Sequence, residues 1–120
     1  RNDLNSALKT NHSFKLIHQD IKFGNIGYSK LYKKYIFIDY GYSDIISEEL
    51  GNRTMTGFKG TIQFCCDEMR HCYVSQARNH VDLYFNDAYC LHSTFLLLAF
   101  SYHITENIKM INMNKIKRIL

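Results

Sequence analysis

The sequence predicts a small α+β domain, mainly α, built around one short β-hairpin. Three observations lead there. Leu4, Ala7 and Leu8 fall at helical spacing, with Asn2 or Asp3 available as N-cap. Two short apolar or aromatic runs, Ile26 to Ser29 and Tyr35 to Ile38, have strand propensity and flank the basic segment Lys30-Leu31-Tyr32-Lys33-Lys34, which can form the connecting turn. Ala88 to Tyr102 is apolar on nearly all faces, as in a buried helix, and Ile104, Ile108 and Ile111 follow at helical spacing.

The bulk properties agree with that size. A chain of 120 residues has room for one domain with a modest core, and 46% apolar residues is a globular rather than a disordered composition. The net charge of +4 is mild, and its basic residues scatter apart from Lys30 to Lys34 and Lys115 to Arg118, so no nucleic-acid partner is called for. A basic RNA-binding module would need aromatic residues interleaved with a clustered basic face, and neither cluster is convincing. The uninterrupted apolar run Phe95 to Phe100 is far too short to span a bilayer, and no membrane partner is expected. Internal repeats, low-complexity tracts and a secretory signal are all missing. The chain starts at Arg1 rather than Met, and we expect an internal piece of a longer protein.

Four cysteines, Cys65, Cys66, Cys72 and Cys90, lie near His71, but no C-x-x-C pair of the kind zinc sites use is present. They read as free, buried, small apolar residues of an intracellular, cytoplasmic protein.

The chemistry-bearing stretch is His18-Gln19-Asp20-Ile21-Lys22-Phe23-Gly24-Asn25, followed by Asp39-Tyr40-Gly41. A hairpin between them would return its second strand to where the first began and so place Asp39 beside Asn25. This pattern, H-x-D-x-K-x-x-N and then D-[F/Y]-G, resembles the catalytic and metal-binding loops of the eukaryotic protein kinases. Four residues at fixed offsets should match by chance about once in 10^5 positions at average usage. Their other reading, as ordinary solvated loop charges, does not account for agreement at five positions.

What the resemblance implies is a serine/threonine protein kinase, a protein-kinase-like C-lobe fragment with ATP and Mg²⁺ as cofactors and a protein Ser or Thr hydroxyl as acceptor. Phosphoryl transfer needs charge neutralisation, in-line geometry and a group that orients the attacking hydroxyl. By the resemblance Asp20 is that group and Lys22 faces the γ-phosphate. Asn25 and Asp39 would supply the oxygen ligands that Mg²⁺ prefers.

The likeness runs through the chain, residues 1–120. Ala7-Leu8-Lys9-x-x-His12-Ser13 into Leu16-Ile17-His18 is similar to the end of the helix before the catalytic loop, and His18 should pack inward as a structural residue. Asp39 to Glu68 would be the activation segment, with hydroxyls at Thr54, Thr56 and Thr61. Gly60-Thr61-x-x-Phe64-x-Cys66-Asp67-Glu68 resembles the family's G-T-x-x-Y-x-A-P-E ending. In that ending Thr61 hydrogen-bonds near the catalytic aspartate. Glu68 would be buried, its usual arginine lying beyond Leu120, so its charge would be costly. Asn86-Asp87 would cap the buried helix, and Asp87-Ala88-Tyr89-Cys90-Leu91 resembles the D-x-W-S-L-G opening whose aspartate braces the catalytic-loop backbone. The final helix should pack on the lobe.

Departures also matter. Gln19 replaces the arginine that receives an activation-loop phosphate, which implies a segment ordered without phosphorylation. Phe23 and Asp67 stand where prolines are common, in a chain with no proline at all. The glycine-rich loop, the V-A-I-K-type lysine and its helix glutamate have no counterpart in these residues, so the 120-residue chain alone is expected to bind ATP weakly or not at all. Two alternatives belong to other classes: a pseudokinase-like binding module, opposed by the presence of Asp20, Lys22, Asn25 and Asp39, and a non-functional truncated fragment, favoured by the missing elements. Substrate, regulation and oligomeric state are not written in the sequence.

Overall fold

The computed structural model describes residues 2–46, 52–55, 60–75 and 79–119, without the side chains of 52–55, 75, 79–80 and 116–119. The fold is α+β and mainly helical. It opens with α1 (Asn2–Ser13), where the spacing of Leu4, Ala7 and Leu8 predicts a helix. Leu4 and Leu8 are its buried face, one helical turn apart. The helix ends without a glycine: Lys15 takes φ 61°, a left-handed stop that leaves its own carbonyl free to accept Ile46 N–H at 2.9 Å.

Among the described residues three two-stranded antiparallel ladders follow, where one hairpin was expected. β1 (Leu16–Ile17) pairs with β4 (Asp44–Ile45). β2 (Ile26–Ser29) and β3 (Lys34–Phe37) form the expected hairpin, with Ile26 opposite Phe37 and Ser29 opposite Lys34, so the turn is one residue shorter than the basic segment. β5 (Asn52–Met55) pairs with β6 (Asn79–Asp82). The two extra ladders join segments far apart in sequence. Strands of two to four residues carry too little periodicity to be read in advance.

Between β5 and β6 lies α2 (Asp67–Ser75), and β6 runs directly into α3 (Leu83–Ile119), 37 residues long. Asp82 caps α3, its Oδ1 accepting Phe85 N–H at 3.0 Å. This corrects the expected helix, which began at Ala88 with Asn86-Asp87 as cap and stopped at Tyr102. Asn86 and Asp87 lie inside the first turns, both buried. No glycine or proline interrupts residues 83–119, so the two helices expected at the end of the chain are one.

The core gathers where α1, β1, β3, α2 and the first third of α3 meet. Ile17, Ile21, Ile46, Met69, Val81 and Leu83 are fully buried there, with Cys65, Cys66, Cys72 and Cys90 among them as free thiols. The expected burial of the rest of α3 is not found: Leu96, Leu97, Phe100, Ile104, Ile108 and Ile111 are all exposed. An amphipathic pattern buries a face only where another element arrives to cover it. Glu68, expected to be buried, is exposed in the first turn of α2, so the predicted desolvation cost does not arise. Among the described residues no helix is long and apolar enough to cross a membrane.

Candidate functional site

The loop from His18 to Asn25 is held in shape by buried polar groups rather than by a ladder. Backbone N–H groups leaving β1 have no strand partner, and Asp87 supplies one. Its Oδ2 accepts His18 N–H at 2.8 Å and its Oδ1 accepts Gln19 N–H at 2.9 Å. A third donor, His12 Nε2 from α1, reaches Asp87 Oδ2 at 3.1 Å. A fully buried carboxylate is stable only when its oxygens are occupied, and here three donors from two elements do so. This is the backbone brace expected of Asp87.

His18 is buried and structural, as expected. Its Nδ1 accepts Asp20 N–H at 3.1 Å and its Nε2 lies 2.9 Å from the Ile38 carbonyl. A carbonyl can only accept and an amide N–H can only donate, so the ring proton sits on Nε2. The imidazole thereby ties the loop to the strand end that precedes Asp39.

Asp20 is the focus of the site. Gln19, immediately before it, takes the left-handed conformation at φ 69°. Asp20 Oδ1 accepts the Thr61 hydroxyl at 2.7 Å. Its Oδ2 accepts Asn25 Nδ2 at 3.1 Å and faces Lys22 Nζ at 3.9 Å. Asn25 Nδ2 also reaches the Asp20 carbonyl at 2.8 Å, closing the loop across a 3₁₀ turn over Phe23–Asn25. The Asp20 side chain is only 12% exposed against 34% for Lys22, so the carboxylate is shielded and fixed while the ammonium reaches solvent.

Asp39 arrives by the hairpin. Ile38 N–H donates to the Asn25 carbonyl at 2.9 Å, which extends the β2–β3 ladder by one pair and sets Asp39 just past Asn25. Asp39 takes φ 55° and accepts Gly41 N–H at 3.2 Å on Oδ1. Among the described residues no hydrogen bond joins the Asp39 and Asn25 side chains. The donor set suits a hard cation: Asn25 spends its amide N–H groups on Asp20 and keeps Oδ1, and Asp39 adds an exposed carboxylate.

The segment carrying Thr61 reaches Asp20 only because residue 60 is glycine. Gly60 has φ 112°, and a Cβ there would lie 2.5 Å from the Gln19 carbonyl oxygen. The far end of the segment is fastened by Asn86, whose buried Oδ1 accepts Cys66 N–H at 3.0 Å. Arg70 Nη2 adds bonds to the carbonyls of Ile62 and Cys65, each at 3.3 Å. Thr54 contributes only backbone to this description, and Thr56 lies outside the described residues.

Sequence reasoning therefore placed Asp20, Lys22, Asn25 and Thr61 together, and it missed His12, Asn86 and Arg70. The signal for Asn86 was present: two adjacent polar residues inside an apolar helix need buried partners. The buried Gln19 Oε1 has no hydrogen-bond partner among the described residues. Burial pushes the Cys66 thiol up to about 11 and raises Cys65 and Cys90 as well, so these thiols next to the segment are kept protonated. Neither a family model nor a curated protein matches the sequence.

Proposed function

We propose that the chain is the central part of a serine/threonine protein-kinase catalytic domain. The observation that carries this reading is the constellation on Asp20: one carboxylate held by Thr61, Asn25 and Lys22 on a loop braced by Asp87. Each partner fits a distinct task. Thr61 and Asn25 fix the carboxylate so that it can accept a hydrogen bond from an incoming hydroxyl and then its proton. Lys22, close to Asp20 yet open to solvent, can turn its ammonium toward an anion arriving beside that hydroxyl. Asn25 Oδ1 and the Asp39 carboxylate would hold Mg²⁺, and Mg-ATP supplies the transferable phosphoryl group and the neutralising charge. The acceptor is inferred to be a protein Ser or Thr hydroxyl, from Lys22 and from Thr61.

The test is phosphate transfer from radiolabelled ATP to protein Ser or Thr, using the complete reading frame that contains these residues. Asp20→Asn keeps the side-chain shape, with its oxygen toward Asn25 and Lys22 and its amide N–H donating to the Thr61 hydroxyl oxygen, but cannot take a proton, so kcat should fall about 10²–10⁴-fold. Equal rates for the variant and the natural protein would remove Asp20 from the chemistry and the reading with it.

A further inference from the structure

The β2–β3 hairpin carries chemistry that the Asp20 site does not use. Its outer part reads Tyr28-Ser29-Lys30-Leu31-Tyr32-Lys33-Lys34-Tyr35, with three lysines, three tyrosines and no acidic residue. Leu31 at the tip is 81% exposed and Tyr32 is 71% exposed, and no described large apolar side chain is more exposed than Leu31. Turn tips ordinarily take Gly, Asn or Asp, so nothing in local folding asks for leucine and tyrosine here. The hairpin that carries the tip is also firmly held. Four backbone pairs join the strands, Ser29 Oγ accepts Tyr32 N–H at 3.2 Å, and Asp3 Oδ2 accepts Tyr35 N–H at 3.2 Å at the base.

We propose that this hairpin tip is a peripheral anchor for an anionic lipid surface. Leu31 and Tyr32 enter the headgroup region while Lys30, Lys33 and Lys34 meet the anionic headgroups. The composition is that of a membrane interface: an aliphatic point, amphipathic tyrosines around it, and lysines whose stems cover apolar surface while their ammonium groups stay wet. Surface attachment of this kind needs no spanning helix. A single-stranded nucleic acid fits less well, because stacking needs free ring faces. Lys34 Nζ lies over the Tyr32 ring at 5.9 Å, and Tyr28 and Tyr35 meet each other edge to face at 5.1 Å. Leu31 has no face to stack upon.

The chain contains no tryptophan, so Tyr32→Trp gives a single reporter at the tip, and Phe100→Trp gives one on the exposed face of α3. With the 120-residue chain and circular dichroism confirming unchanged helix, phosphatidylcholine vesicles containing phosphatidylserine should shift the Tyr32→Trp emission to the blue. Pure phosphatidylcholine vesicles should not. Adding Lys30→Gln, Lys33→Gln and Lys34→Gln should weaken partitioning on the order of a hundredfold. A shift seen with Phe100→Trp but not with Tyr32→Trp would mean that α3 binds the vesicles and would overturn the proposal. So would partitioning indifferent to the three lysines, or an emission change produced by single-stranded oligothymidylate and not by vesicles.

Discussion

The two parts of α3 are one uninterrupted helix and yet opposite in character. From Leu83 to Thr94 it buries Leu83, Asn86, Asp87, Cys90, Leu91 and Thr94, a stripe with helical spacing that faces the core and the loop bearing Asp20. From Leu96 onward it exposes Leu96, Leu97 and Phe100, then Ile104, Ile108 and Ile111. The buried stripe includes polar side chains, Asn86, Asp87 and Thr94, while large apolar ones stay outside. Asn86 and Asp87 sit within it because the loops they face have backbone N–H groups without strand partners. Burial follows from what arrives opposite, and a helix keeps its backbone bonds whether or not its side chains find cover.

The comparison can be broken or sharpened by substitution, and the largest effect belongs to Asp87. Asp87→Ala removes the acceptor of two buried N–H groups and of His12, and should cost about 3–5 kcal/mol by urea unfolding. A loss below about 1 kcal/mol would mean that the loop finds other acceptors. Next comes a pair of leucines on one helix. Leu91 is 2% exposed and Leu97 is 50% exposed, so Leu91→Ala should cost about 2–5 kcal/mol and Leu97→Ala less than about 1 kcal/mol. Equal costs would show that the outer part of α3 is covered in solution.

The smallest effect is a pH dependence from buried thiols, Cys90 within α3 and Cys66, whose N–H Asn86 holds. Burial raises the Cys66 thiol from 9.0 to about 11 and raises Cys90 in the same direction. Above pH 9.0 the unfolded chain gives up these protons while the folded chain keeps them, so the unfolded state binds fewer. Their contribution is fully present below pH 9.0 and declines as pH rises toward about 11. Urea midpoints at about pH 8 and about pH 10 should differ in that direction, and Cys66→Ala should reduce the difference.

Much of the site was legible because its residues sit close together in sequence. Asp20, Lys22 and Asn25 share one loop, and the strand-like runs on either side of Lys30 to Lys34 set the hairpin that brings Asp39 back. Thr61 and Asp87 were expected there only through the resemblance of their short motifs to a known family, since 41 and 69 residues separate them from the groups they meet. The contacts that fasten those motifs were less legible: Cys66 to Asn86, Arg70 to Ile62 and Cys65, and Gly60 against Gln19 depend on how distant segments meet. The β1–β4 and β5–β6 ladders were missed for the same reason, since two to four residues of strand become recognisable only when paired.

By itself the sequence determined the α+β class, the helical start, the hairpin, and the grouping of Asp20, Lys22 and Asn25 on one loop. Residue type and local spacing are sufficient for these, because helix and turn formation are short-range and a loop places near neighbours near one another. Only the tertiary structure decided where α3 begins, which of its leucines are covered, that Glu68 is exposed, and that His12 joins the two backbone donors on Asp87. Those outcomes depend on desolvation, which is a property of the surroundings a side chain meets and not of the residue that carries it.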